Sequence, residues 1–287
     1  MPVSRPRISG FTRVFGIVGH PVHHSQSPGM HNRLFQTLGI DAVYVAFDVA
    51  PERSDRVADL VRTMNLSGVN LTVPHKEHVV PHLDGLSAEA QRAGAVNVII
   101  NQVGRLVGHN TDGLGFCAAL DHAGESTNRA HAVILGAGGS ARAVAAELLN
   151  RGVPRITLLN RTEGRAAAAI AALASHQPAA MITAGPLSLP SFSAAAEGAD
   201  LVVNCTSGPA VPLIETLDPN VLASSAAWVD INYWMPSPPL QDAIVQSGRT
   251  FHDGLGMLAF QGALSFELFT QQTIDGGDVL ATLRSEL

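Results

Sequence analysis

Lys76 and Asp112 are residue types that proton transfer needs, and each follows a strand-like run at the start of a loop. An ammonium beside a carboxylate can pass or receive a proton while a carbonyl and an alcohol interconvert. On position alone, an exposed salt bridge beside a turn is the better reading, so the surrounding residues decide. The stretch His131-Ala-Val-Ile-Leu-Gly-Ala-Gly-Gly-Ser-Ala-Arg142 supplies a partner chemistry. Here an apolar run reaches Gly136, Ala137, Gly138, Gly139 and Ser140 and then opens a helix. Gly136 permits a tight turn, Gly138 lets the backbone approach a pyrophosphate, and Ala141 stands where the helix must pack closely. The free N–H groups and positive dipole end of that helix face the phosphates.

A second short β run, Arg155 to Leu159, ends about 20 residues on, where a dinucleotide fold reads the adenosine ribose. A carboxylate there would bond a 2′-hydroxyl and repel a 2′-phosphate. This chain instead has Asn160, Arg161 and Thr162, with Arg165 one helical turn further. Two arginines at a helix N-terminus oppose its dipole and call for an anion, so the expected cofactor is NADP.

Other clusters have plainer uses. Ser27 reads as an N-cap with Pro28 at the first helical position, which explains it without a ligand, whereas Ser25 has no such role. His75, His78 and His82 have helical spacing for a metal, but Pro81 breaks the helix where the third ligand is needed, leaving ordinary surface or loop histidines. His23 and His24 lack a carboxylate or cysteine set. Cys117 and Cys205 read as reduced core thiols, with no disulfide framework.

The elements that must position these residues are legible as alternation. Val14 to Val18, Tyr44 to Val49 and Gly68 to Pro74 read as strands; between them lie a helix through Met30, Leu34, Phe35 and Leu38 and a second with Val57, Leu60, Val61 and Met64 on one face. That order implies an α/β fold with an open, mainly parallel sheet, whose ligand crevice lies beyond the carboxyl ends of the strands. Val96 to Ile100 and Arg105 to Val107 flank Asn101-Gln-Val-Gly104 as a hairpin, and a helix follows from Gly113. Alternation resumes at His131, with helices from Ser140 and Glu163 and strands at Leu201 to Cys205 and Trp228 to Ile231. A last apolar helix runs from Met257 to Thr270. Gly185 to Ala194 and Ser207 to Pro212 read as loops.

At 287 residues with 46% apolar content, the chain can build two domains. Its 18 Lys and Arg against 24 Asp and Glu give a net charge of −6, which offers no global field to nucleic acid or an anionic membrane. No apolar run reaches the ~18 to 20 residues of a spanning helix, and Pro2 and Pro6 interrupt any signal-like start. A cytoplasmic protein is expected; the oligomeric state, with a homodimer among the options, is left open. There is no repeat of fixed period.

Seven blocks now converge: His24-Ser-Gln-Ser-Pro28, Asn70-Leu-Thr-Val-Pro-His-Lys-Glu77, Gly94-Ala-Val-Asn97, Asn110-Thr-Asp-Gly113, Gly136-Ala-Gly-Gly139, Asn160-Arg-Thr162 and Asp253-Gly-Leu-Gly-Met-Leu258. In this order, and over essentially the whole chain, they resemble the shikimate and quinate dehydrogenases. The resemblance implies that Ser25 and Ser27, assisted by Tyr233, bind the carboxylate of shikimate or 3-dehydroshikimate. Thr72, Asn97 and Gln261 would bond the ring hydroxyls, and Lys76 and Asp112 would be the catalytic pair. Gly136 to Ser140 match the pyrophosphate loop, Asn160, Arg161, Thr162 and Arg165 the 2′-phosphate reader, and Ile231 and Gly254 the nicotinamide end. It also implies a substrate domain of residues 1–112 plus 255–287 with a Rossmann domain, 113–254, inserted in it. Two departures stand out: Trp234-Met-Pro-Ser-Pro-Pro-Leu240 where the family commonly has Asn-Pro, and Glu267-Leu-Phe-Thr270 where it usually has Leu-Trp.

The activity implied is NADP-dependent reduction of 3-dehydroshikimate to shikimate. A quinate or dual-specificity dehydrogenase is the nearest rival. A dinucleotide-binding regulator that has lost the reaction is a remoter one, disfavoured because Lys76 and Asp112 are both present.

Overall fold

A computed structural model describes residues 8–175, 179–206, 210–234 and 237–286. Strand and helix alternate twice over, and each run closes on its own six-stranded sheet. The first sheet comprises β1 (Arg13–Gly19), β2 (Ala42–Asp48), β3 (Gly68–Leu71), β4 (Gly85–Leu86), β5 (Val98–Gln102) and β6 (Arg105–His109), in the order β2-β1-β3-β5-β6-β4. β1 pairs in parallel with β2 and β3, while β5 runs antiparallel to both β3 and β6, so this sheet is mixed. Its helices are α1 (Ser27–Thr37), α2 (Val57–Thr63), α3 (His75–His78) and α4 (Ala88–Ala93).

After α5 (Asp112–His122) comes the second sheet: β7 (Ala132–Leu135), β8 (Arg155–Asn160), β9 (Met181–Pro186), β10 (Leu201–Asn204), β11 (Ala227–Asp230) and β12 (Thr250–His252). All its pairs are parallel, in the order β12-β11-β10-β7-β8-β9. Every residue of β7, β10 and β11 is buried. Such unbroken apolar runs are required of strands covered on both faces. The covering helices are α6 (Gly139–Asn150), α7 (Glu163–Ala174), α8 (Leu189–Ala196), α9 (Val211–Ile214) and α10 (Pro238–Gln246). Strand order reverses between β7 and β10, which opens a ligand crevice at their carboxyl ends.

The final helices, α11 (Leu255–Thr270) and α12 (Gly276–Ser285), return to the first sheet. Phe266 and Phe269 of α11 join Phe15, Phe35 and Tyr44 in one buried cluster. α11 also lies against α5 so closely that a Cβ on Gly115 would stand 2.6 Å from Cα and Cβ of Gln261. The helix carrying Gln261 is thereby pinned to the helix that begins at Asp112.

Several sequence expectations are corrected. On α2, Val57, Ala58 and Val61 are buried, whereas Leu60 and Met64 face solvent; the helix presents a narrower stripe than its apolar content suggested. Gly185 to Ala194 is not a loop: Gly185 and Pro186 complete β9, and Leu189 opens α8 with Ser188 capping it by accepting from the Ser191 N–H at 3.3 Å. Proline in β9 is tolerated because this is the edge strand. The expected loop at 207–212 lies partly outside the described residues, and Val211 and Pro212 open α9. The β5–β6 turn is two residues, Val103 and Gly104, both at positive φ, rather than the four expected.

Candidate active site

β1 delivers the hydroxyl loop. Ser27 is the first residue of α1 and does not cap it; its N–H donates to Ser25 Oγ at 3.2 Å. The two serines thus exchange the local role expected from sequence: Ser25 rather than Ser27 serves the turn, and both line the cleft. Tyr233 faces this loop from the other sheet, its hydroxyl accepting from the Gln26 N–H at 3.4 Å. Burial holds the Tyr233 phenol above its ordinary range, so it stays neutral and can donate. The turn leading to Tyr233 is built on Asp230, whose carboxyl takes the Asn232 N–H at 2.9 Å and Asn204 Nδ2 at 3.0 Å; burial pushes that carboxyl up.

β3 ends at Leu71, so Thr72 reaches the cleft and Lys76 follows on α3. His75 is not the surface histidine expected: it is buried, hydrogen-bonded through Nδ1 to Ser54 Oγ at 2.8 Å and through Nε2 to the Val49 carbonyl at 2.9 Å. Those two contacts fix α3 and hence the root of Lys76. Lys76 Nζ donates to Asp112 Oδ2 at 2.5 Å, with Asp112 almost wholly buried at the first position of α5. A carboxylate suits that helix N-terminus. Ser140 completes a triangle, accepting from Lys76 Nζ at 2.9 Å and donating to Asp112 Oδ2 at 3.1 Å. The glycine loop and the Lys76–Asp112 pair therefore touch directly, an arrangement no spacing in the sequence discloses.

Asn97 Nδ2 donates to Asp112 Oδ1 at 2.8 Å and to Thr111 Oγ1 at 2.9 Å, and Asn97 Oδ1 accepts the Thr111 N–H at 2.8 Å. Its amide is largely spent on holding Asp112. Behind it runs a buried polar chain missed by sequence reasoning. Ser265 Oγ shares a hydrogen with Thr111 Oγ1 and accepts from Asn70 Nδ2, and Asn70 Oδ1 accepts from the Tyr44 hydroxyl. Asn70 could have been found as the lone amide in the buried strand Gly68–Leu71.

Ser25, Ser27, Thr72, Lys76, Asn97, Asp112, Ser140, Ile231, Tyr233, Gly254 and Gln261 all line one cavity of about 420 Å³ between the two sheets. Gly254 is fixed by close approach, since any side chain there would meet the Ile231 backbone. Cys205 packs against the core of the second sheet, as expected, but also lines the cavity; Cys117 is buried, and burial raises its thiol to about 12. Trp234 meets His24 from across the cleft as a tilted ring pair, centroids 4.8 Å apart. His24 had been set aside with the metal reading, and its contact with Trp234 is the use that reading missed. Met235 and Pro236 of the atypical segment lie outside the described residues.

The glycine loop suits a dinucleotide. Gly136 has φ +110°, and a Cβ there would lie 3.0 Å from the Cys205 carbonyl just past the end of neighbouring β10. Ala137 and Ala141 are buried under it, and Gly139 begins α6, so backbone donors face the crevice. A Cβ on Gly138 would have nothing nearer than 3.8 Å, leaving its surface open. Asn160 donates to the Thr162 carbonyl at 2.8 Å and shapes the turn after β8; Arg161, Thr162 and Arg165 are exposed around it. Arg165 is held by Glu77 at 3.0 Å, so only part of the positive charge at this helix start is uncompensated.

Comparison with known proteins agrees with this geometry. Three family profiles match in chain order: "Shikimate dehydrogenase substrate binding domain" at residues 17–99, "Shikimate / quinate 5-dehydrogenase" at 118–233 and "Shikimate 5'-dehydrogenase C-terminal domain" at 254–284. The chain is 44% identical over 268 residues to the shikimate dehydrogenase (NADP(+)) of Rhodospirillum rubrum, covering 91% of this chain and 92% of that protein. It is 42% identical over 271 residues to the enzyme of the same name from Symbiobacterium thermophilum, covering 93% and 92%. Among solved structures it resembles shikimate 5-dehydrogenase from Thermus thermophilus in complex with NADP(H) and shikimate. The TM-score is 0.81 and the identity 35%, over 96% of this chain and all of that one.

Proposed function

The chain belongs to the shikimate dehydrogenase family, and from that premise we propose the division of labour by which it carries out NADP-dependent, reversible reduction of 3-dehydroshikimate to shikimate. The observation that carries the site assignment is the Lys76–Asp112 pair, 2.5 Å apart in the wall of the cleft and touching the glycine loop through Ser140. Ser27, Ser25 and Tyr233 hold the substrate carboxylate with neutral hydroxyls, which bind it without a strong ionic pair and so permit release. Thr72, Asn97 and Gln261 take the ring hydroxyls. NADPH, when bound, supplies the hydride. Lys76 Nζ donates the proton to the substrate's carbonyl oxygen, and Asp112 orients Lys76 and accepts from the hydroxyl that results.

Gly136, Ala137, Gly138, Gly139 and Ser140 would hold the pyrophosphate, and Asn160, Arg161, Thr162 and Arg165 the adenosine ribose with its 2′-phosphate. Ile231 and Gly254 would form the wall beside the nicotinamide, orienting it and excluding water. The substrate unit comprises residues 1–112 and 255–287, the dinucleotide unit 113–254. The free cysteines agree with a reducing, cytoplasmic setting.

Lys76→Ala should lower kcat by a factor of ~100 or more with modest change in KM, because a proton donor is lost while the carboxylate and hydroxyl contacts remain. Steady-state kinetics with shikimate and quinate, each with NADP and NAD, check both the residue and the substrate. An unchanged kcat would remove Lys76 from the chemistry.

A further inference from the structure

Glu77, the residue after Lys76, has no part in the mechanism above. Its carboxylate nevertheless occupies a telling place. Oε1 accepts from Arg165 at 3.0 Å, Oε2 lies 3.4 Å from Arg142, and Oε1 would be 3.8 Å from a Cβ on Gly138. Glu77 thus reaches from the first sheet's side of the cleft to the glycine loop and to one of the two arginines beside the ribose place. Arg142 is mostly buried and is itself anchored by Nε to the Ala137 carbonyl at 3.2 Å, whereas Arg165 is 55% exposed. The Arg142 contact is therefore built into the loop, and the Arg165 contact is the one free to exchange.

We infer that Glu77 is an internal competitor for the cofactor's 2′-phosphate, a specificity-determining residue that holds Arg165 when NADP(H) is absent and yields it when the phosphate arrives. This rests on the reading of Arg165 as a 2′-phosphate reader. A dianionic phosphate at Arg165 displaces the carboxylate, which stays on Arg142, and the remaining negative charge close by weakens the phosphate's hold. NADH brings no 2′-phosphate and leaves the Glu77–Arg165 pair in place. Glu77 therefore limits the affinity for NADP(H) selectively, and it recovers Arg165 as the oxidised cofactor leaves, a stage that governs turnover in many enzymes.

The test is equilibrium binding to the full chain at fixed, low ionic strength. NADPH and NADH are titrated by fluorescence and 2′,5′-ADP by calorimetry, against the wild type, Glu77→Gln, Arg165→Ala and the double variant. Glu77→Gln should tighten NADPH and 2′,5′-ADP by roughly three- to tenfold, the scale of a partly exposed ion pair, and change NADH by less than about twofold. Arg165→Ala alone should weaken NADPH, and in its background Glu77→Gln should have little further effect, since the pair is already gone. If Arg165→Ala weakens NADPH but Glu77→Gln leaves it unchanged, weakens it or tightens NADH equally, the competitor role is wrong while the 2′-phosphate reading stands. If Arg165→Ala leaves NADPH unchanged, both are wrong.

Discussion

His31 shows how a single side chain can tie the fold to pH. It is 1% exposed, stacked on Tyr44 at 4.4 Å and on Phe266 at 6.0 Å, and its Nδ1 has no partner among the described residues. Burial lowers its pKa from 6.5 to about 3. The folded protein keeps this ring neutral while the unfolded chain protonates it, so the stability it permits is full above pH 6.5 and is lost as pH falls toward 3. Between pH 7 and pH 5 that loss amounts to about 2 kcal/mol. His31→Phe keeps an aromatic ring in the stack and should remove this share of acid sensitivity. Denaturant unfolding of both proteins at pH 7 and pH 5 checks it; equal losses would mean that His31 is not the source.

At the scale of elements, α5 and α6 set the distance between Asp112 and Ser140. A Cβ on Gly113 would stand 2.8 Å from Glu147 Cβ and 3.0 Å from the Ala143 carbonyl carbon, so these helices touch backbone to backbone. Gly113→Ala should cost about 1–3 kcal/mol as overpacking and lower kcat more than it weakens NADPH binding, because it shifts Asp112 from Ser140. Thermal unfolding and kinetics check this; wild-type values for both would show that the helices have room to give. Strong periodicity and glycine spacing make β1, β2, β3, β5, β6, β7, β8, β10, β11, α6 and α7 legible in the sequence, together with the glycine loop and the loops carrying Ser25, Lys76 and Asp112. What stayed hidden was decided by tertiary partners. β9 and α8 are short and weakly patterned, and the Ser25–Ser27 exchange depends on how the chain enters α1. Likewise, the sequence assigns Glu77 no role of its own, because its partners Arg142 and Arg165 lie 65 and 88 residues downstream.

For the whole molecule, the contact between His24 and Trp234 links the two sides of the cleft on the substrate side. Burial and neighbouring His23 lower the His24 pKa, so a neutral ring faces the indole. Of the two tryptophans, Trp228 is 0% exposed, which leaves Trp234 to report on cleft closure. Shikimate binding should change the emission of the wild type and not that of Trp234→Phe; an equal response in both would place the change elsewhere.

The way the chain crosses between its two units bears on how such a protein could be recombined. With the boundaries proposed above, at 112/113 and 254/255, exchange of the inserted unit between relatives would leave Ser25, Ser27, Thr72, Lys76, Asn97, Asp112 and Gln261 with the recipient. Arg161 and Arg165 would come from the donor while Glu77, which holds Arg165, would stay with the recipient, so cofactor preference would be shared between the two. Tyr233, Trp234 and Ile231 would come with them, although they line the cavity that receives the ring. Substrate preference would then also be a hybrid trait, and a chimaera built to change its preference between NADP and NAD would also change what its pocket admits.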